Sequence, residues 1–258
     1  MNKKYIFFDI DGTLTNRETR IVVPSAQRAL DELQKAGHFV AIATGRAHYK
    51  ARGFMESVGL HDMVCGGGGG LVIADQLMRN HPLDKASACQ VIQQAEALGY
   101  GILVMIDDSI DVYSKNDLFQ KQCGERKEPT NYIIDPNFDI TQHDIYKIYV
   151  SIPKAEEEQL TTKQLLGHLR FVPDYLMFQY DQKDAGIMEM MEFLKADIKD
   201  VVVFGDDDND MVMFDQRWFS IAMGNACDAL KQKANYVTDA NVENGIWNAC
   251  VKFGWIKP

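Results

Sequence analysis

Two aspartates directly follow an apolar segment near the start of the sequence. Residues 5–10 read YIFFDI, which is typical of a buried parallel strand, and they bring Asp9 and Asp11 to its carboxyl end. Side chains two positions apart on an extended chain point the same way, so both carboxylates face one point. Open parallel sheets bind ligands at this end of their strands. Gly12 lets the chain turn away there. Because the pair directly follows four apolar residues and is followed by Gly-Thr, we favour a catalytic pair over a solvated turn with a capping aspartate.

A second group of acids follows another apolar run, at residues 201–204. Four aspartates within five residues repel one another unless a cation lies among them; they are Asp206, Asp207, Asp208 and Asp210. Oxygen ligands suit a hard ion such as Mg²⁺. A calcium loop of the EF-hand type is excluded, because it needs glycine at its sixth position and glutamate at its twelfth. Asp206 is best placed to share one ion with Asp9.

A third group of residues suits a phosphate group. Thr44 ends a strand predicted from residue 39, and Gly45 leaves backbone N–H groups open at the start of the next helix. A hydroxyl, free amides and a helix N-terminus together can bind phosphate, although serine and threonine caps are common at any helix start. Lys183 lies between a predicted strand and a predicted helix. A lone lysine is usually solvated, so its interpretation depends on its neighbours.

The elements that must position these residues alternate between strands and helices. One helix is predicted between Pro24 and Gly37, and another from Arg46 to about Ser57. Apolar runs predict buried strands at 5–10, 39–42, 64–65, 71–73, 201–204 and 220–223. Short connections in this order imply a parallel sheet covered by helices. The sequence therefore predicts an α/β core.

The pattern changes after Pro82, which indicates an insertion. Helices are predicted at 84–97 and 154–168, and strands at 102–106, 111–113, 146–152 and 175–180. Alternation within 146–150 predicts a sheet with one open face, unlike the continuous apolar runs of the core. We interpret 84–178 as a separate α+β domain, inserted into a core formed by 1–83 and 179–258.

Composition narrows the class of protein. The chain has 258 residues and a formal net charge of −10, which argues against a nucleic-acid partner. No stretch reaches the about 20 apolar residues that span a bilayer, so we expect no membrane partner. The five cysteines are an odd number, scattered and without a CxxC pair. They indicate free thiols in a reducing, cytoplasmic location.

Together and in this order, the motifs resemble those of the haloacid dehalogenase (HAD) superfamily. They are DxDGT from Asp9, ATGR around Thr44, Lys183 before a helix, and GDxxND ending at Asp210. The insertion resembles the type IIB cap of the Cof-like sugar-phosphatase branch, as does the tail from Gly224. The resemblance implies a Rossmann-like parallel core, the HAD fold, with an inserted α+β cap that sets substrate specificity.

One segment departs from the resemblance. Cof-like sequences commonly carry Asn-Gly after the third strand, whereas this chain has five consecutive glycines, the glycine run 66–70, with Gly68 where asparagine is usual. The run is not a phosphate-binding P-loop, because no Gly-Lys-Ser/Thr follows it. Of the remaining interpretations we favour a flexible hinge or close packing of the chain.

The resemblance also implies a role for each motif residue in a Mg²⁺-dependent phosphatase that acts on a small phosphorylated metabolite. Asp9 attacks phosphorus and becomes an aspartyl-phosphate, and Asp11 serves as acid and then base. The metal is bound by Asp9, Asp206 and the backbone carbonyl of Asp11, with Asp210 behind them. The phosphate-binding residues are Thr44, Gly45, Lys183 and Asn209. Arg46 either contacts substrate or lies on a helix surface.

Two other functions remain open from the sequence. A phosphomutase would move the phosphate to a second hydroxyl and release none. A silent binding or regulatory module would have no reason to retain Asp9, Asp11, Lys183 and Asp206 together. Dehalogenases of the superfamily lack an acid at the position of Asp11, so the motif favours phosphoryl transfer.

Overall fold

The structure is a computed structural model that describes residues 2–258 and divides into two compact units. One unit contains residues 2–80 with Gln182–Pro258, and the other is His81–Asp181. No helix in the described residues has the length and apolar character needed to cross a membrane.

The strands of the described residues are short and are numbered in chain order. They are β1 (Tyr5–Phe8), β2 (Phe39–Ala43), β3 (Met63–Cys65), β4 (Gly70–Ile73), β5 (Gln76–Asn80), β6 (Ile102–Met105), β7 (Asp111–Ser114), β8 (Asn131–Ile134), β9 (Lys147–Val150), β10 (His168–Val172), β11 (Tyr175–Phe178), β12 (Val201–Gly205), β13 (Phe219–Ala222) and β14 (Tyr236–Val237). The α-helices are α1 (Pro24–Lys35), α2 (His48–Ser57), α3 (Lys85–Ala97), α4 (Leu118–Cys123), α5 (Lys183–Phe193), α6 (Asp228–Lys233) and α7 (Gly245–Lys252).

The first unit contains a sheet in the order β14-β13-β12-β1-β2-β3-β4-β5. The strands from β14 to β3 are parallel, and β4 and β5 continue the sheet antiparallel. Alternate residues of β1 enter two different cores: Ile6 and Phe8 pack with α1 and α7, whereas Phe7 packs with Ile187 and Met190 of α5. Burial on both faces explains the continuous apolar runs. The predicted α/β fold with a parallel core is confirmed.

The second unit contains a sheet in the order β10-β11-β9-β6-β7-β8, in which only β7 and β8 pair parallel. Helix α3 packs on it through Val91 and Ile92, against a core that includes Val104 and Ile148. The prediction of an open face fails at β9, because all four of its residues are buried. This strand lies inside the sheet, and the ring of Tyr149 is covered by the guanidinium of Arg126 at 4.0 Å.

The helix predicted at 154–168 is wrong. Residues Lys154–Gln159 and Thr161–Leu165 form two separate 3₁₀ segments, and β10 begins at His168. Leu160 between them has a non-helical backbone and is completely buried in the core of this unit. Burial of that one side chain overrides the helical preference of the Glu- and Lys-rich sequence around it.

Candidate active site

The pairing of β1 with β12 brings the two acidic motifs to one edge of the sheet. Phe8 is in register with Phe204, and the backbone N–H of Asp9 donates to the carbonyl of Phe204 at 3.0 Å. Asp9 and Asp206 therefore leave neighbouring strands at the same level. Both side chains are almost completely buried, with 4% and 1% of each residue exposed.

Lys183 joins two of the acids. It is the first residue of α5 and is 1% exposed. Its Nζ donates to Oδ1 of Asp9 at 3.0 Å and to Oδ1 of Asp210 at 2.6 Å. Burial disfavours the charged amine, but Asp210 and Asp9 outweigh it and raise the pKa of Lys183 above its usual value. The ammonium group is thus fixed between residues that are far apart in sequence.

Three carboxylates meet in this buried region. One oxygen each of Asp9, Asp206 and Asp210 lies within 4.8 Å of the others. Burial and the neighbouring Asp210 raise the pKa of Asp9 well above its usual value, and the same causes raise the pKa of Asp206 to about 7. Three buried acids against one buried lysine leave an excess of negative charge. Oxygen ligands at this spacing therefore fit a divalent cation.

Both carboxylate oxygens of Asp210 accept hydrogen bonds from the backbone or from Lys183. Its Oδ2 accepts the backbone N–H groups of Asp206 and Asp207, at 2.9 and 3.3 Å, while its Oδ1 receives Lys183. Gly205 permits this arrangement, because a Cβ there would lie 2.8 Å from the Asp210 carboxylate. Asp210 consequently orients both the lysine and the chain that carries Asp206.

Asp206 is contacted by residues that the sequence patterns did not predict. The hydroxyl of Thr13 donates to its Oδ1 at 3.0 Å, and Arg17 donates to its Oδ2 at 2.6 Å. The side-chain amide of Asn225 donates to the carbonyl of Gly12 at 2.9 Å and lies 3.4 Å from Asp206 Oδ2. The available signals were the final threonine of DxDGT and the Gly-Asn-Ala of the tail; nothing in the sequence indicated Arg17.

Asp11 lies in a more exposed position beside Arg46. Nε and Nη2 of Arg46 donate to its two oxygens at 2.9 and 2.6 Å, and Arg20 lies 3.5 Å from Oδ1. Burial alone would raise the pKa of Asp11, but the hydrogen bonds and charge of Arg46 lower it below the usual value. The structure therefore places Arg46 at the catalytic acid predicted from sequence, with its side chain 18% exposed.

The other predicted phosphate-binding residues lie on two turns. Thr44 follows β2 and is buried, and its hydroxyl accepts the backbone N–H of Arg46 at 3.2 Å. Its carbonyl accepts the N–H of Gly67 at 3.1 Å, which joins the turn of Thr44 and Gly45 to the glycine run. Asn209 is half-buried in the 3₁₀ turn Asp208–Met213, which also carries Asp210.

The sequence matches the family of haloacid dehalogenase-like hydrolases over residues 6–250. It is 28% identical over 260 residues to the Bacillus subtilis (strain 168) protein named "Putative phosphatase YkrA", and 100% of each chain is covered. The 5-amino-6-(5-phospho-D-ribitylamino)uracil phosphatase YitU of the same organism is 22% identical, covering 93% of this chain and 94% of its own length.

A solved structure also shares the whole fold. The HAD subclass IIB sugar phosphatase BT4131 superposes with a TM-score of 0.80 at 23% identity, covering 98% of this chain and 100% of the other. At that identity the likeness concerns the fold.

Proposed function

Because this chain belongs to the family of haloacid dehalogenase-like hydrolases and is a phosphatase of that superfamily, we propose that it is a Mg²⁺-dependent enzyme that hydrolyses phosphate monoesters of small molecules. The proposed substrates are sugar phosphates or related metabolites. YitU is named for a substrate with a phosphorylated ribityl group, and BT4131 is described as a sugar phosphatase. We assign substrate selection to the inserted residues 84–178.

The observation that carries this proposal is the position of Lys183. Its ammonium group lies between Asp9 and Asp210, next to the buried Asp206. A lysine and three carboxylates converging from three parts of the chain form a costly arrangement that packing alone does not require. They match a site that binds a metal ion and a phosphate dianion side by side.

The proposed metal ligands are Asp9, Asp206 and the backbone carbonyl of Asp11. Hard carboxylate and carbonyl oxygens are the ligands that Mg²⁺ prefers. When bound there, Mg²⁺ supplies positive charge that offsets both the buried acids and the charge of the transferring phosphoryl group. Asp210 supports this set from behind through its bonds to the N–H groups of Asp206 and Asp207.

Asp9 is the proposed nucleophile. At about 4 Å and an effective dielectric constant of about 20, a carboxylate and a phosphate dianion repel by roughly 8 kcal/mol, so attack requires positive charge nearby. Lys183 supplies one such charge at 3.0 Å from Asp9. Asp9 Oδ forms a bond to phosphorus as the ester P–O bond breaks. Thr44, Gly45 and Asn209 hold the phosphoryl oxygens with Lys183.

Asp11 transfers the protons of both half-reactions. It gives a proton to the departing alkoxide, then takes one from the water that cleaves the aspartyl-phosphate and releases phosphate. Arg46 holds Asp11 ionised in the structure, through bonds of 2.9 and 2.6 Å. For Asp11 to carry a proton, the hydrogen bonds from Arg46 to its carboxylate must break. A substrate oxygen is the natural competitor for the arginine, which gives Arg46 the role of a substrate contact.

Replacing Asp11 with asparagine is expected to lower kcat by about 10²- to 10⁴-fold, the range for loss of a general acid and base. Asn cannot exchange a proton, but its size preserves the turn at Gly12. The loss should be smaller for a substrate with a good leaving group, such as p-nitrophenyl phosphate, because protonation of that group matters less. Values of kcat/KM for both substrate types check this, because they report formation of the aspartyl-phosphate, the step in which Asp11 acts as acid rather than as base. An equal loss for both would argue against the acid role.

The overall proposal is tested by measuring phosphate release. Sugar phosphates, nucleotides, FMN and pyridoxal phosphate would be screened with Mg²⁺ and with EDTA. We expect release from at least one sugar phosphate that EDTA abolishes. Phosphate release that persists in EDTA would contradict the metal requirement. An isomerised sugar phosphate without free phosphate would instead identify a phosphomutase.

The effect of Mg²⁺ on thermal stability is expected to depend on pH. The pKa of Asp206 rises on folding from 3.8 to about 7, so the folded state binds this proton more tightly than the unfolded state does. Its contribution to metal-free stability therefore falls as pH rises through that interval. Because Mg²⁺ binds the ionised acid, the rise in Tm caused by Mg²⁺ should be larger at about pH 8 than at about pH 5.

Thermal melts with Mg²⁺ or EDTA at both pH values check this expectation. Asp206→Asn serves as the comparison, since it removes the titrating group and should greatly reduce the response to Mg²⁺. A rise in Tm that is the same at both pH values in the unmodified protein would contradict the proposed linkage.

A further inference from the structure

The glycine run 66–70 lies directly against the residues that carry Lys183. Gly68 has φ +108°, and a Cβ added there would lie 2.1 Å from the carbonyl oxygen of Gln182 and 2.9 Å from the backbone nitrogen of Lys183. Any side chain at this position would push the two segments apart. The expected asparagine is therefore replaced by direct contact between backbones, which agrees with close packing, one of the two interpretations left open from sequence.

Hydrogen bonds and helix packing complete this contact. The N–H of Gln182 donates to the carbonyl of Gly67 at 2.8 Å. One turn into α5, a Cβ on Gly186 would lie 3.2 Å from both Cα and the carbonyl oxygen of Gly68. The start of α5 thus contacts the glycine run at two places, at Gln182 and Lys183 and again at Gly186. The position of the run determines the position of the Lys183 backbone.

Arg79 on β5 fastens the glycine run to α5. Its Nη1 donates to the carbonyl of Gly68 at 3.1 Å and also to that of Gly69, and its Nε donates to both oxygens of Glu189 at 2.7 Å. Nη2 of Arg79 also donates to Glu189, so that the ion pair is bidentate. Only 15% of the arginine side chain is exposed. One planar guanidinium therefore binds two glycine carbonyls and the second turn of α5 at once.

We propose that Arg79, acting with Glu189, is a positioning residue for Lys183. It holds the glycine run and α5 in one register, and that register sets where the Lys183 ammonium meets Asp9 and Asp210. The inference rests on the proposed function in that Lys183 is taken to bind the transferring phosphoryl group. Arg79 itself touches neither Asp9 nor substrate in this assignment.

The consequence for the reaction follows from the sensitivity of rates to geometry. A displacement of about 1 Å in a group that stabilises the transition state can lower the rate about 10²-fold. Without Arg79, two glycine carbonyls and Glu189 lose their shared donor, and the glycine run can move away from α5. Lys183 would keep its charge and its partners Asp9 and Asp210, but the backbone that carries it would no longer be held in one register.

The test compares Arg79→Met, Arg79→Lys and Glu189→Gln with the unmodified protein. Arg79→Met is expected to lower kcat by about 10²-fold with a much smaller change in KM, because the lysine matters most in the transition state. Inhibition by vanadate, which mimics that state, should weaken in parallel with kcat. Arg79→Lys and Glu189→Gln should lower kcat less than Arg79→Met does. The order of the three variants should be the same for kcat and for vanadate inhibition. Arg52→Met, which removes an exposed ion pair with Glu56 on α2, is the matched control and should change none of these values.

Folding and function can be separated in this experiment. Tm and the folded fraction are measured for each variant, and rates are expressed per folded molecule. If Arg79→Met does not fold, Glu189→Gln decides, since its side chain is 41% exposed and tolerates substitution more easily. Unchanged kcat and vanadate inhibition per folded molecule would overturn the proposal. If the unmodified protein releases no phosphate from any ester, the proposed function fails, whereas calorimetric binding of vanadate still tests the positioning of Lys183.

Discussion

Replacing Asp9 with asparagine is expected to lower Mg²⁺-dependent phosphate release by about 10⁴-fold or more, as for loss of other covalent nucleophiles. The amide has nearly the same shape as the carboxylate, but it carries no charge with which to attack phosphorus. No aspartyl-phosphate can then form. Phosphate release and acid-quenched labelling of the protein by a phosphorylated substrate measure the two consequences separately.

The same substitution is expected to leave the metal-free fold as stable as before or slightly more stable. Burial, Asp210 and Asp206 together raise the pKa of Asp9 despite the opposing effect of Lys183, so ionised Asp9 is unfavourable in the folded protein. Lys183 keeps Asp210 as its partner at 2.6 Å. Asp31→Asn on the exposed side of α1 is the control. Substantial metal-dependent activity in Asp9→Asn would falsify the nucleophile assignment.

The core fold could be predicted because its signals are local. Strands buried on both faces require continuous apolar runs, and the motifs of Asp9, Thr44 and Asp206 each follow such a run. The neighbouring positions of Asp9 and Asp206 follow from the pairing of β1 with β12, which the sequence does not state. The rule that ligands bind at the carboxyl ends of parallel strands replaced that missing information. The resemblance to the HAD superfamily, now confirmed, added the order of the motifs.

The remaining contacts depend on tertiary packing that no local pattern reports. Arg17 reaches Asp206 across 189 positions of sequence, and Arg79 reaches Glu189 across 110. Arginines on loops and edge strands usually face solvent, so their types and spacing gave no reason to choose these two. The wrong helix at 154–168 has the same origin. There the burial of Leu160, rather than the preference of its neighbours, decides the backbone.

The charges of the site explain why its residues differ in their expected effect on stability. Asp9 belongs to a surplus of buried acids, so neutralising it relieves repulsion. Lys183 is the cation bound to two of those acids. Neutralising Asp9 and removing Lys183 should thus abolish activity alike, but only the loss of Lys183 should lower the free energy of unfolding. This contrast distinguishes a site with more buried acids than cations from a balanced buried ion pair, in which removing either partner is destabilising.

Replacing Lys183 with methionine is expected to abolish phosphate release and to lower metal-free stability by about 3–5 kcal/mol, the usual effect of removing one partner of a buried ion pair. Asp9 and Asp210 would remain buried without their shared donor. Mg²⁺ should recover part of the lost stability, because it offsets the charge of the same acids, but it should not restore turnover. Urea unfolding with Mg²⁺ or EDTA measures both effects, and Lys199→Met, at an exposed lysine, is the control. The free energy of unfolding in EDTA decides this prediction. If it is the same for Lys183→Met and for the unmodified protein, Asp9 and Asp210 do not need this lysine to offset their charge, and the charge balance assigned to the site is incorrect.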